Sequence, residues 1–340
     1  MSRGKFILFG ALALFSIIGI ASMFKGSKKD STTTKVLPKQ IEEIPIANIK
    51  EETPVLSFEK PEPIKLSTPK EQLSEVDRIG RLFSLDSSKL PIVETITYSS
   101  RVPWLQGRPA WIADYASHYA TSRHFIARSL NHKPDYFTQT VSPGDRFNVL
   151  RKDLNLEFYL LIDLSKCKMW FYCLDKDAGE RVLLKTYKVG LGRKDQTKPS
   201  GFLTPTGKYL LGSKIAIYKE GTKGYFHDKK VEMLQIFGTR WIPFEKELEN
   251  CSERAKGFGI HGSPWARDEK TDSLLEDRSH ISKYDSDGCI RLNSEDIEEL
   301  FSIIITRPTT VELVNDFQDA KPPFEEKDNF STKSVTEVRS

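Results

Sequence analysis

Four cysteines among 340 residues, with no Cys-x-x-Cys pair, offer neither a disulfide framework nor a structural zinc site. His118, His124 and His132 form no HExxH pattern or similar ligand spacing, so they are not read as a metal site. Charge of one sign is also missing. Against 51 basic residues stand 47 acidic ones, and the net +4 lacks the concentrated basic face of a nucleic-acid binder. No internal repeat appears, which argues against a solenoid. Hydrophobic residues make up a modest 38%, so part of the length is expected to be unpacked tail.

Long apolar runs are absent except at the start. Arg3 and Lys5 precede "FILFGALALFSIIGIASMF", residues 6–24, which carries no charge. At ~1.5 Å per residue this run approaches the thickness of a bilayer core. A cleaved signal peptide is the competing reading, but "IASMF" is a poor cleavage site, so residues 1–25 read as a cytoplasmic tip and transmembrane anchor. Lys25, Lys28 and Lys29 offset Arg3 and Lys5, so flanking charge does not fix the orientation. Residues 26–70, rich in Pro, Glu, Lys and Thr, read as a disordered linker. Residues 71–150 read as a small mixed or helical region of unknown role. There "RPAWIADYASHYATSRHFIARSL" predicts one helix with Pro109 in its first turn and Trp111, Ile112, Tyr115, Tyr119, Ile126 and Leu130 near one face.

From Glu157 the pattern turns to strands: "FYLLIDL", "KMWFYCL", "RVLLKTYKVGLG", "GKYLL", "MLQIF", "GFGIHG" and "TVELV". One helix stands out, "EDIEELFSIII", with Ile297, Leu300, Phe301 and Ile304 at helical spacing and Asn293 or Ser294 as N-cap. The fold class is mainly β, a sandwich or small barrel with a few helices. Residues 316–340 read as a polar tail.

Within this β region "KYDSDGCIRL" sets Cys289 after a glycine and among polar residues, an unusual place for a structural thiol. A nucleophilic cysteine needs access, hydrogen-bond donors and a base. His261 in "FGIHGSPW" ends an apolar strand and can supply the base, with His280 as a weaker alternative. Gly288 lets the backbone approach a substrate, and the amides of Asp287, Gly288 and Cys289 can aim at an oxyanion. Arg291 is either a binder of a substrate carboxylate or a pairing partner that pins the loop, and Ser286 fixes the turn.

The order of these pieces resembles the L,D-transpeptidase catalytic domain (the YkuD family): a Thr-Pro-x-Gly turn at 204–207, His-Gly at 261–262, then Ser-x-Gly-Cys-x-Arg at 286–291 before a helix. "LLIDLSKCKMWFY" looks like that family's first hairpin, and the resemblance covers residues 157–315. Three departures stand out. Asp287 occupies a position where many relatives have histidine; the charged stretch 266–284 lengthens the gap between His261 and Cys289 as a flap beside the site; and "TRPTT" replaces a usual glycine turn.

The resemblance implies a YkuD-like fold and a cysteine-dependent L,D-transpeptidase forming 3→3 cross-links between peptidoglycan stem peptides through a thioester. Its partners would be those stem peptides and cell-wall synthesis proteins. With the anchor, it implies a single-pass envelope protein whose catalytic domain lies outside the cytoplasmic membrane. Two alternatives stay open: an L,D-carboxypeptidase or endopeptidase in which water resolves the thioester, and an inactive peptidoglycan-binding scaffold. A papain-like protease is excluded, because its histidine follows the cysteine and no histidine follows Cys289.

Overall fold

The computed structural model describes residues 75–131 and 140–330, all within one compact unit, Pro69–Ser340. The expected anchor, the linker 26–70 and the last ten residues of the tail lie outside the described residues. Among the described residues no helix is long and apolar enough to cross a membrane.

The chain enters with a short helix, α1 (Gly80–Phe83), and strand β1 (Val93–Thr97), then helices α2 (Ile112–His118) and α3 (Arg123–Asn131) and strand β2 (Arg146–Leu150), antiparallel to β1. The single helix predicted here is thus two. Its break falls at Ala120, held at φ 45, and α3 restarts where Ser122 Oγ accepts from the Phe125 amide at 3.0 Å. A serine cap outcompetes helix continuation at this point. Pro109 lies outside α2, whose first turn is closed by the Asp114 carboxylate accepting from the Trp111 amide at 2.8 Å. Ile79, Leu82, Leu90, Phe125 and Leu150 share one core with the β region, so these residues brace it.

Strands β3 (Leu156–Asp163), β4 (Lys168–Asp175) and β5 (Glu180–Lys188) form an antiparallel meander, followed by the short β6 (Leu191–Gly192). Next come β7 (Gly207–Leu211), β8 (Ala216–Ile217), a hairpin of β9 (Lys223–Phe226) and β10 (Lys229–Glu232), a helical turn α4 (Leu234–Phe237), and β11 (Arg240–Glu249). "MLQIF", expected as a strand, therefore contains a helical turn. Then follow β12 (Gly259–Gly262), β13 (Trp265–Arg267), β14 (Leu274–Glu276), β15 (Tyr284–Ser286), β16 (Ile290–Leu292), α5 (Ser294–Ile304), β17 (Thr309–Val314) and β18 (Glu325–Lys327).

Ten strands make one curled half-barrel sheet in the order β16-β12-β11-β7-β17-β3-β4-β5-β18, with β8 beside β11. The expectation of a mainly β fold with few helices stands, with four two-stranded pairings beside this curled half-barrel sheet among the described residues. Its central strands are buried on both faces, which is why they read as continuous apolar runs. Helix α5 packs Ile297, Leu300, Phe301 and Ile304 into the core. Its N-cap is Asn293, whose side chain accepts from the Asp296 amide at 2.9 Å, and Glu295 and Asp296 suit the positive end of the helix.

Two polar stretches are more ordered than their composition suggests. Residues 316–330, read as tail, form a 3₁₀ turn at Phe317–Asp319 and the edge strand β18 beside β5, and they bury Phe330. The long insert is a hairpin of β13 and β14 with a 3₁₀ turn at Arg278–His280. As expected it is mostly solvent-exposed. Its root is nevertheless fastened: a Glu276 carboxylate accepts from the Ser294 amide at the start of α5, and Arg278 bridges Glu276 and Glu295 at 2.9 and 3.1 Å.

Candidate active site

Strand β12 is the hinge of the site. It pairs antiparallel with β11, Trp241 opposite His261, and parallel with β16, Ile260 opposite Ile290 and His261 opposite Arg291. Ile260 and Ile290 are fully buried in the core. Alternation then turns His261 and Arg291 to the other face, shared with Cys289, which lies one step before β16. Strand spacing and rise set the His261 and Cys289 Cα atoms about 8 Å apart, a diagonal that two side chains can span. In the resting structure they do not bond to each other. His261 Nδ1 contacts the Gly262 carbonyl at 2.7 Å, and Cys289 Sγ lies 3.7 Å from the Gly257 carbonyl.

The turn before Cys289 is built by its small residues. Gly288 sits at φ +117, and a Cβ there would lie 2.6 Å from a Phe258 ring carbon and 2.8 Å from the Leu203 carbonyl oxygen. Ser286, expected to fix the turn, does so: its hydroxyl donates to the Cys289 carbonyl at 2.7 Å and accepts from the Gly288 amide at 3.2 Å. That amide, expected to face an oxyanion, serves the turn in this structure. The Thr-Pro-x-Gly segment packs alongside. Buried Thr204 accepts from the Gly192 amide at 2.7 Å, and Gly192 comes so close that an added Cβ would sit 2.9 Å from Gly288 Cα. Gly288→Ala is expected to destabilise the fold by about 2–4 kcal/mol, from left-handed strain plus the clash with Phe258. Denaturant unfolding would measure it, and a loss under half a kcal/mol would refute this account.

Burial shapes the titration of both groups. His261 is 3% exposed, enclosed by Phe237 and Trp241 with ring centroids at 5.4 and 5.8 Å. Burial pulls its pKa from 6.5 to about 4, and Arg291 adds to the fall, while the Gly262 and Phe237 carbonyls oppose it. Burial pushes half-buried Cys289 up from 9.0 to about 11; the Gly259 amide and Arg291 work against this and Asp287 works with it. At neutral pH His261 is therefore a neutral imidazole and Cys289 a neutral thiol.

Arg291 does not stand free for a substrate. Its Nη1 bonds Asp285 Oδ1 at 2.6 Å, and the other oxygen of Asp285 lies 2.7 Å from His280 Nδ1. His280 Nε2 lies 3.3 Å from Asp277. Arg291 is thus paired within the loop, and His280, the alternative base, is engaged by Asp277 of the insert and by Asp285 just after it. Asp287 is exposed and pairs with Arg193 at 2.5 Å. Neither Asp285 nor Arg193 is evident from the motif, since Asp285 stands six residues before Arg291 and Arg193 ninety-four before Asp287. Among the described residues no cluster of three or more His, Cys, Asp or Glu side chains is placed to hold a metal ion.

Two solved structures are similar to part of the chain. One is Bd1075 of Bdellovibrio bacteriovorus, 13% identical, covering 47% of this chain and 48% of that one, with a TM-score of 0.32. The other is the helical cell shape determining protein Pgp2 from Campylobacter jejuni, 17% identical over 50% of each chain, with a TM-score of 0.30. The chain spans about half the length of either. No curated protein matches it. Residues 157–313 match the L,D-transpeptidase catalytic domain (YkuD).

Proposed function

We propose that this protein is a cysteine-dependent L,D-transpeptidase that forms 3→3 cross-links between peptidoglycan stem peptides. The observation that carries the reading is the parallel β12–β16 pair, which sets His261 and Cys289 diagonally on one face beside a glycine turn. The His261 Nδ1 contact with a carbonyl fixes its proton there and leaves Nε2 as the acceptor. Nε2 takes the thiol proton as Cys289 Sγ attacks the carbonyl of the third stem residue. The amides of Asp287 and Cys289 are the donors left in the turn for the oxyanion. The C–N bond then breaks, and the D-alanine amine leaves with the proton from His261. A thioester remains. The side-chain amine of a neighbouring stem attacks it, His261 accepts that amine's proton, and the thiol is restored on collapse.

Incubating the protein with labelled tetrapeptide muropeptides and weighing the products tests this. Cross-linked dimers with loss of one D-alanine support transfer to an amine. Tripeptide alone makes the enzyme a carboxypeptidase, and no product at all returns the scaffold reading. Residues 6–24 and 26–70 would anchor this body to the outer side of the cytoplasmic membrane and space it from the bilayer. Alkaline extraction of membranes checks the anchor, and release of the intact chain would rule it out.

The hairpin of the insert begins four residues after the base, and its tip would act as a lid over the donor stem. The Asp268 carboxylate orders that tip by accepting from the Lys270 and Thr271 amides at 3.0 and 2.8 Å, whereas Glu276 and Arg278 belong to the scaffold around α5. Replacing 268–273 by a tight turn is expected to keep the melting temperature within a few degrees. The hydrolysed-to-cross-linked product ratio should rise several-fold. An unchanged ratio makes the tip a passive insertion.

A further inference from the structure

Two arginines stand near Cys289, and they differ in how they are held. Arg291 is locked to Asp285, with a side chain 15% exposed. Arg193 is 58% exposed, and its carboxylate partner Asp287 is 72% exposed. The backbone of Arg193 is nonetheless fixed to the nucleophile turn. Its amide donates to the Ser286 carbonyl at 3.0 Å, its carbonyl accepts from the Leu203 amide at 2.8 Å, and the preceding Gly192 lies against Gly288. The next cation, Lys194, points elsewhere, its Nζ 5.3 Å from the centre of the Tyr284 ring. The result is a guanidinium carried on a fixed stretch of backbone beside the nucleophile turn and paired with a solvent-exposed carboxylate.

We propose that Arg193 is a specificity residue that receives the α-carboxylate of the leaving D-amino acid, so that the site selects stem peptides ending in a free carboxylate. This rests on the stem-peptide reading above and names the part of the substrate it recognises. In such a donor the terminal carboxylate lies within about 4 Å of the scissile carbonyl carbon, the span of one residue backbone. Asp287 follows Ser286 and precedes the Gly-Cys pair, so the guanidinium it holds borders the nucleophile turn.

An exposed ion pair such as Arg193–Asp287 is weak and screened, so it exchanges readily. A substrate carboxylate that shields the guanidinium from water gains a two-pronged, charge-assisted bond in its place. Without Arg193, Asp287 would present its negative charge to an anionic donor. In the empty site Asp287 keeps the guanidinium aimed, and on binding it gives up its place to the substrate and turns to solvent. Arg291 cannot substitute, because leaving Asp285 would strand a charge that is partly buried.

The experiment compares two synthetic tetrapeptide stems, one ending in a carboxylate and one in a carboxamide. Wild type, Arg193→Ala and Arg193→Lys full-length proteins are assayed by intact-mass detection of the Cys289 acyl-enzyme and by kcat/KM. Wild type is expected to favour the carboxylate form about 10-fold to 100-fold. Arg193→Ala should collapse that ratio to within about 3-fold of unity, and Arg193→Lys should retain part of it. Thermal unfolding of both variants reports whether the turn is intact. Equal rates for the two stems in wild type, or an undiminished preference in a folded Arg193→Ala protein, would overturn the proposal. If wild type acylates with neither stem, the stem-peptide reading itself falls and this inference falls with it; acylation by both without preference removes Arg193 alone.

Discussion

Cys289→Ala is expected to remove acyl-enzyme formation altogether, with a loss of turnover of at least about 10³-fold. A carbapenem offers a convenient probe, because its strained ring is an acyl donor and the family resemblance implies that a thiol of this kind opens it. Intact mass of the wild-type protein should show a single adduct, absent from Cys289→Ala and from Cys289→Ser. The other cysteines make poor candidates for that adduct. Cys167 and Cys173 are buried, and burial pushes both thiols up. Cys251 is only partly buried, but its sulfur lies 3.0 Å from the Lys208 carbonyl, and no histidine stands near it in sequence. Serine should fail as well, since a hydroxyl is far less acidic than a thiol and His261 is a weak base. An adduct that persists in the alanine variant would show that the nucleophile is another residue.

The site was legible where its chemistry is local. "SDGCIRL" contains the turn, its glycine and its serine, and the structure supplies the reason for each: the +117 φ of Gly288 and the two bonds of Ser286. Helix α5 was equally legible, since its apolar period and the Asn293 cap agree. The pairing of β12 with β16 has no local signal. The two strands are separated by the whole insert, and parallel pairing leaves no hairpin turn to read.

Partners across space were hidden for the same reason. Asp285 was visible in "KYDSDG", but not that it would take Arg291. Arg193 was visible in "VGLGRKD", but not that it would meet Asp287. The choice between sandwich and barrel stayed open in the sequence because apolar runs such as "FYLLIDL" signal burial on both faces without saying what covers them. Here the core with α5 covers one face, and the other carries the cluster of Tyr159, Trp170 and Tyr172, against which Phe317 and Val76 pack. Phe330 buried beyond a charged strand shows the limit of composition: one aromatic side chain is enough to dock a segment that otherwise reads as tail.

Activity is expected to hold a plateau across the neutral range and to fall only near pH 4, well below the usual histidine region. General-base attack needs neutral His261, and burial keeps it neutral down to about 4. A reagent that reacts only with thiolate behaves differently. Iodoacetamide should alkylate Cys289 about tenfold faster per pH unit through the neutral range, levelling off near the thiol pKa of about 11. His261→Ala should leave that slope in place. Stem acylation by this variant should drop about 10²–10⁴-fold at pH 7 and recover as pH rises, because the thiolate must then form unaided.

Folding gives an independent check on the same histidine. A depressed pKa means that the unfolded chain binds the proton first, so stability is full above pH 6.5 and is lost as pH falls toward 4. The single-site loss is on the order of 3 kcal/mol. In His261→Gln this part of the acid dependence should vanish. If wild type and His261→Gln lose stability in parallel over that window, or if the acid limb of acylation lies near pH 6.5, His261 is not the buried neutral base.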